Sequence, residues 1–272
     1  MSLKLMYITN SQDIARIAEK SGVDIIFVDL EIKGKSDRQR GKDTVISGHK
    51  IEDVKKIKGI LCASELLVRV NPLNDGSEEE IDKVIGYGAD IVMLPFFKTA
   101  KEVESFIKLV NCRAKTCLLF ETSGAVDTVE EILSLNGIDY IHIGLNDLHI
   151  CYNMKFLFQL LADGTVEKLC SKFRDKGIPY GFGGIAGLGL GKLPAEFVIA
   201  EHYRLGSSMV ILSRSFCNAG LVKDSSEVEK LFETGVESIR EYESALAGKE
   251  AQFFENNRKE VVRKVDEITS NM

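Results

Sequence analysis

A short β-branched run followed by an amphipathic stretch recurs eight times along this 272-residue chain. The runs are LKLMYI (3–8), VDIIFVDL (23–30), LLVRV (66–70), ADIVMLPFF (89–97), KTCLLFE (115–121), GIDYIHIG (137–144), GIPYGFGG (177–184) and SSMVILSRSF (207–216). VDIIFVDL is apolar nearly throughout, the pattern of a parallel strand covered on both faces. Helical patterns lie between the runs. Ser11 is placed to cap a stripe of Ile14, Ile17 and Ala18, and Thr99 with Glu102 has capping-box spacing. This β-then-α rhythm predicts an α/β fold with a parallel sheet. Eight units in about 220 residues favour a single (β/α)8 TIM-type barrel over an open doubly wound sheet. The dinucleotide fingerprint GxGxxG is missing after the first strand, which argues the same way.

Residues 1–220 therefore read as one barrel domain and residues 221–272 as a C-terminal helical extension. The extension holds two charged helical stretches, roughly 226–247 and 250–269. Their apolar stripes are Val228, Leu231, Phe232, Val236 and Ile239, then Phe253, Phe254, Val261, Val262, Val265 and Ile268. The second stripe is too apolar to lie bare, so it packs back on the barrel or covers a partner subunit, and a homo-oligomer is expected. A net charge of −6 argues against a non-specific nucleic-acid binder. No apolar run reaches the roughly 18 residues of a membrane span, and the apolar start of the chain is too short for a signal sequence. Six cysteines (62, 112, 117, 151, 170 and 217) show no CxxC spacing and read as reduced thiols of a cytoplasmic protein.

In such a barrel, chemistry gathers at the C-terminal ends of the strands. The polar residues there are Asp29 and Glu31 after the second strand, Arg69 on the third, Glu121 after the fifth, Asp147 after the sixth and Arg214 after the eighth. Glu121 and Asp147 stand at the mouths of neighbouring strands, where two carboxylates can aim at one hard divalent cation.

The segments DIARIAEKSGVDIIFVDLE, LLVRVNP, ADIVMLPFF, LLFETSGAV and GIDYIHIGLNDL resemble, in matching order over about residues 5–216, the HpcH/HpaI aldolase and citrate lyase β-subunit family. The most specific part is ET followed by GxNDL, with 26 residues from Glu121 to Asp147. The resemblance implies a barrel that binds a divalent metal and makes or breaks a carbon–carbon bond beside a 2-oxo or acyl-CoA group. It implies Glu121 and Asp147 as ligands of Mg²⁺ or Mn²⁺ and Arg69 as partner of a substrate carboxylate or enolate oxygen. Asp29 and Glu31 match acids that hold that arginine or the metal's waters. The expected activity is a lyase of the aldolase type acting on a pyruvate-like 2-oxo acid through an enolate, with no membrane or nucleic-acid partner.

The pattern breaks in one place. Many aldolases of the family carry a histidine directly after the DxE element, where this chain has Ile32. The base then falls to a metal-bound water or to His49, which alternatively reads as a capping or surface residue. Between them runs a loop with Lys33, Lys35, Arg38, Arg40 and Lys42, either a cradle for phosphate, CoA or a polycarboxylate or a solvated segment. The cradle reading favours a citrate-lyase-like enzyme of CoA esters, and the missing histidine favours a non-catalytic metal- and ligand-binding relative. The glycine-rich GFGGIAGLGLGK (181–192) reads as an anion loop or a tight turn, and His142 with Tyr140 as polar packing inside the barrel.

Overall fold

The computed structural model describes residues 2–32, 48–218 and 224–272. The strands are β1 (Lys4–Ile8), β2 (Ile25–Asp29), β3 (Glu65–Arg69), β4 (Ile91–Leu94), β5 (Lys115–Phe120), β6 (Tyr140–Ile143), β7 (Tyr180–Ile185) and β8 (Met209–Leu212). All pair in parallel and in sequence order, and β8 returns to β1, so the sheet closes into the expected (β/α)8 barrel. The basic segment from Lys33 to Lys42 and the boundary expected at residues 220 and 221 lie outside the described residues.

Strand alternation divides the side chains between two cores. One set faces inward and fills the barrel: Met6, Ile25, Phe27, Leu67, Ile91, Met93, Cys117, Leu119 and Met209. The other set faces the helices and joins a larger layer around the outside. The N-terminal end of the barrel is closed by charge. Glu65 pairs with Lys4 at 3.1 Å and with Lys115 at 2.6 Å, and Lys4 Nζ donates to the Tyr140 hydroxyl at 3.3 Å. These three charged residues come from β1, β3 and β5, so they mark one level of the interior. Two pleats further along the same strands, Ile8, Arg69 and Leu119 share a level at the opposite mouth.

The sheet is tightest at β7. A β-bulge there sets Gly181 opposite Met209 and Gly184 opposite Ile211, three residues against two. A Cβ on Gly181 would fall 2.2 Å from the Met209 carbonyl oxygen, so no other residue fits without moving β8.

The helices begin where their caps predict. Ser11 accepts from the Ile14 N–H, and Thr99 forms a capping box with Glu102. Helix Ser225–Ala247 fills the slot between Gln12–Lys20 and Ala195–Leu205, the place of the eighth helix in the ring. Phe232 packs edge-on to Tyr7 at 4.8 Å, and Glu243 accepts the Leu3 N–H at 2.7 Å. Helix Ala251–Ser270 follows the eighth ring helix and lies outside the ring. It packs against Ala195–Leu205 and Gln159–Ala162, with Asn257 Nδ2 donating to Phe197 O at 3.1 Å and to Glu201 Oε1 at 2.9 Å. Among the described residues no helix is long and apolar enough to cross a membrane.

Candidate active site

β2 and β3 run in register with Asp29 opposite Arg69. Both side chains face inward, because Phe27 and Leu67, two residues earlier, belong to the interior set. Arg69 Nε and Nη2 each donate to Asp29 at 2.8 Å, a two-point grip that matches the guanidinium fork to the carboxylate. Nη1 lies 3.3 Å from Glu31 Oε2. Glu31 is wholly buried, and its N–H donates to Asp29 Oδ1 at 3.1 Å. Burial opposes the arginine's charge, but Asp29 and then Glu31 and Glu121 outweigh it and raise the pKa above its ordinary value. The cation is permanent.

Two neighbours, one of them anticipated, hold this cluster. His49 Nδ1 accepts the Asp29 N–H at 3.0 Å, which places the ring proton of the neutral imidazole on Nε2. Asn71 carries no sequence signal and looks there like an ordinary turn residue. Its Oδ1 accepts the Ile32 N–H at 3.0 Å while Nδ2 donates to Glu80 at 2.7 Å, so it fixes the chain just beyond Glu31.

Two further carboxylates follow β5 and β6, which pair with Phe120 opposite Ile143. Glu121 follows β5 directly, and Asp147 sits in the first turn of helix Leu145–Cys151 after β6; both are buried. Glu121 Oε1 accepts the Phe96 N–H at 3.1 Å. Phe96 adopts φ 52°, a left-handed conformation costly for an aromatic residue, and no sequence signal marks it. The rest of the Glu121 side chain lies over Gly144: a Cβ there would stand 2.9 Å from both Glu121 Cβ and Oε2. The carboxylate thus occupies a cradle that only glycine leaves open. Among the described residues, no group of three or more His, Cys, Asp or Glu side chains is disposed to hold a metal. Buried carboxylates, Glu121 after β5 in its glycine cradle and Asp147 in the helix after β6, are the oxygen-donor type that a hard dication takes.

The family model for HpcH/HpaI aldolase/citrate lyase matches residues 4–157, more than half of the chain. The chain belongs to that family. An HpcH/HpaI aldolase from Desulfitobacterium hafniense superposes with a TM-score of 0.61 at 15% identity, over 88% of this chain and 93% of the other. An HpcH/HpaI aldolase/citrate lyase family protein from Burkholderia cenocepacia gives 0.60 at 14% identity, over 88% and 94%. At such identities these two establish the shared fold. No curated protein sequence matches the chain. Membership of the HpcH/HpaI family makes this a lyase of the aldolase and citrate-lyase kind.

In this family member the remaining polar candidates divide clearly. The glycine-rich loop has its own anion: the Gly189 N–H donates to Glu196 Oε1 at 2.7 Å, which works against a phosphate beside that amide. Arg214 is exposed at the end of β8. His142 is buried inside the barrel, as the sequence suggests, and its Nε2 bonds Gly183 O at 3.0 Å. Burial, with Arg69 nearby, pushes its pKa down to about 4. His202, stacked on Phe182, is lowered in the same direction by burial.

The sign of the pH effect follows. Both histidines are neutral when folded and would take a proton near pH 6.5 when unfolded, so acid favours the unfolded chain. Stability should fall as pH drops from about 6.5 toward 4. His142 accounts for at most roughly 3 kcal/mol of that loss. Urea midpoints for His142→Leu should therefore be flatter than wild type across this window. Parallel curves for the two proteins would contradict the assignment.

Proposed function

We propose that the chain is a divalent-metal-dependent carbon–carbon lyase that acts on a pyruvate-type 2-oxo acid through an enolate. The observation that carries this reading is the buried guanidinium of Arg69, fixed at the barrel mouth by Asp29 and Glu31. Glu121 and Asp147 would hold Mg²⁺ or Mn²⁺. When bound, the ion supplies a Lewis acid that draws charge from the substrate's carbonyl oxygen.

In the cleavage direction the substrate's 4-hydroxyl loses its proton and the C3–C4 bond breaks. The electron pair of that bond moves toward the C2 oxygen, and C3 later takes a proton. Arg69 is suited to the oxygen that gains charge, because its cation is permanent and its plane is already fixed by two carboxylates. Asp29 and Glu31 hold that plane. His49 acts on Asp29 through the strand-end N–H, and any proton it exchanges with substrate would pass through Nε2. The six free cysteines suit a reducing cytoplasm, and a homo-oligomer belongs to the same proposal.

Exchange of pyruvate's methyl protons with deuterated water tests the reading without an aldehyde. Exchange is expected with Mn²⁺ or Mg²⁺ and should cease when the metal is chelated. Pyruvate with metal should also raise the melting temperature. If CoA thioesters alone stabilise the protein and pyruvate exchanges no protons, the citrate-lyase-like reading replaces this one.

A further inference from the structure

Among the described residues, charge is unevenly spread around the mouth of the barrel. β2, β3, β5 and β6 bring Asp29, Glu31, Arg69, Glu121 and Asp147 to it, whereas β7, β8 and β1 lead into Gly184, Ser213 and Ile8. Ile8 is the informative member of that second arc. Met6 lies in the barrel interior, so Ile8, one pleat further, also faces inward. It shares its level with Arg69 and Leu119, yet it is 37% exposed while Met6 is wholly covered. Open space therefore stands over an inward-facing aliphatic side chain.

Small residues continue the arc beyond β1, with Ser213 after β8 and glycines on β7. β7 offers only Gly183 and Gly184 at its bulge, and a Cβ on Gly184 would lie 3.6 Å from Ser213 Cβ. Two more exposed aliphatic residues flank the mouth, Ile32 just past Glu31 and Leu190 in the loop after β7. With Ile8 they are three of the five large exposed apolar side chains among the described residues. Arg214, the charged neighbour of Ser213, is already engaged by a partner.

We infer that this neutral arc, centred on Ile8, receives the carbon chain of the aldehyde partner, and that this chain is aliphatic and uncharged. The inference rests on the aldolase reading above and names its substrate class. In the addition direction, C3 of the enolate attacks the aldehyde carbon: the enolate's C2–C3 π bond and the aldehyde's C=O π bond open, the new C–C bond forms, C2 regains its carbonyl, and the aldehyde oxygen takes the proton that pyruvate's methyl carbon gave up; nothing is oxidised or reduced. A longer aliphatic chain displaces more water from Ile8, whereas a carboxylate or phosphate at its end would lose hydration beside that aliphatic side chain.

The test measures addition of pyruvate to propanal, butanal and pentanal, against succinic semialdehyde and glyceraldehyde 3-phosphate, with Mn²⁺ present. kcat/KM should rise about 4-fold per methylene along the aliphatic series. Both charged aldehydes should fall at least about 10-fold below pentanal. Ile8→Asn should flatten the series, chiefly through KM, while Ile8→Leu keeps it; Ile8→Ala serves if the asparagine variant does not fold. A flat wild-type series, a preference for either charged aldehyde, or an unchanged slope in Ile8→Asn overturns the inference. Methyl-proton exchange in the wild type separates the two levels: if it proceeds while the series is flat, only the aldehyde subsite is wrong, and if it fails, the aldolase reading itself falls.

Discussion

Arg69→Met should destabilise the protein by about 3–5 kcal/mol at neutral pH and lower kcat/KM about 1,000-fold. The stability cost comes from what the arginine leaves behind. Asp29 and Glu31 are both buried, and three guanidinium nitrogens now face them at 2.8, 2.8 and 3.3 Å. Without the cation, two carboxylates share a desolvated site and each disfavours the other's charge. The unfolded chain carries no such repulsion, so the urea midpoint of this variant at neutral pH should lie well below that of wild type. Arg69→Lys restores the charge but not the fork, since one ammonium cannot give the parallel donors that Asp29 receives while also reaching Glu31. It should recover much of the stability and little of the activity. A methionine variant as stable as wild type at pH 8 would mean that these carboxylates do not depend on the guanidinium.

The architecture was legible because strand and helix patterns differ in period and because nothing in the chain contradicts them. The charged residues that close IIFVD and ELLVR place Asp29 and Arg69 at the C-terminal mouth of neighbouring strands from the sequence alone. Partner choice was less legible. That Asp29 rather than Glu31 takes both parallel donors depends on the β2–β3 register, which sets Asp29 directly opposite Arg69. Glu196 could not be seen as the anion of the glycine-rich loop, because the contact is made by a helix-start side chain reaching back seven residues. The role of Ser225–Ala247 was hidden for another reason. Its charged, striped texture suits an accessory helix and a ring helix equally, and only the slot between its neighbours distinguishes them. Ile8 carries no sequence signal, because an aliphatic residue ending a strand looks like core, and its exposure is a property of the space above it.

Glu121→Gln should abolish stabilisation by Mn²⁺ and reduce turnover about 1,000-fold, while the barrel still folds. Glutamine keeps the side chain's shape and can still accept the Phe96 N–H through its carbonyl oxygen, so the loss isolates the charge. A companion change at Gly144 tests position instead. In Gly144→Ala the new Cβ would meet Glu121 Cβ and Oε2 at 2.9 Å and Leu119 Cδ1 at 3.2 Å. Leu119 is packed in the barrel, so the carboxylate is the group that must move. A displaced ligand with its charge intact should weaken Mn²⁺ binding about 10- to 100-fold, the range seen when a ligand loses its orienting partner. Titration calorimetry measures the affinities, and melting curves without metal check the fold. The two variants together divide charge from geometry: Glu121→Gln removes the ion's counter-charge, and Gly144→Ala leaves that charge in the wrong place. Should both bind Mn²⁺ like wild type, Glu121 is a structural anchor for the turn at Phe96, and the ion, if the protein takes one, is held elsewhere.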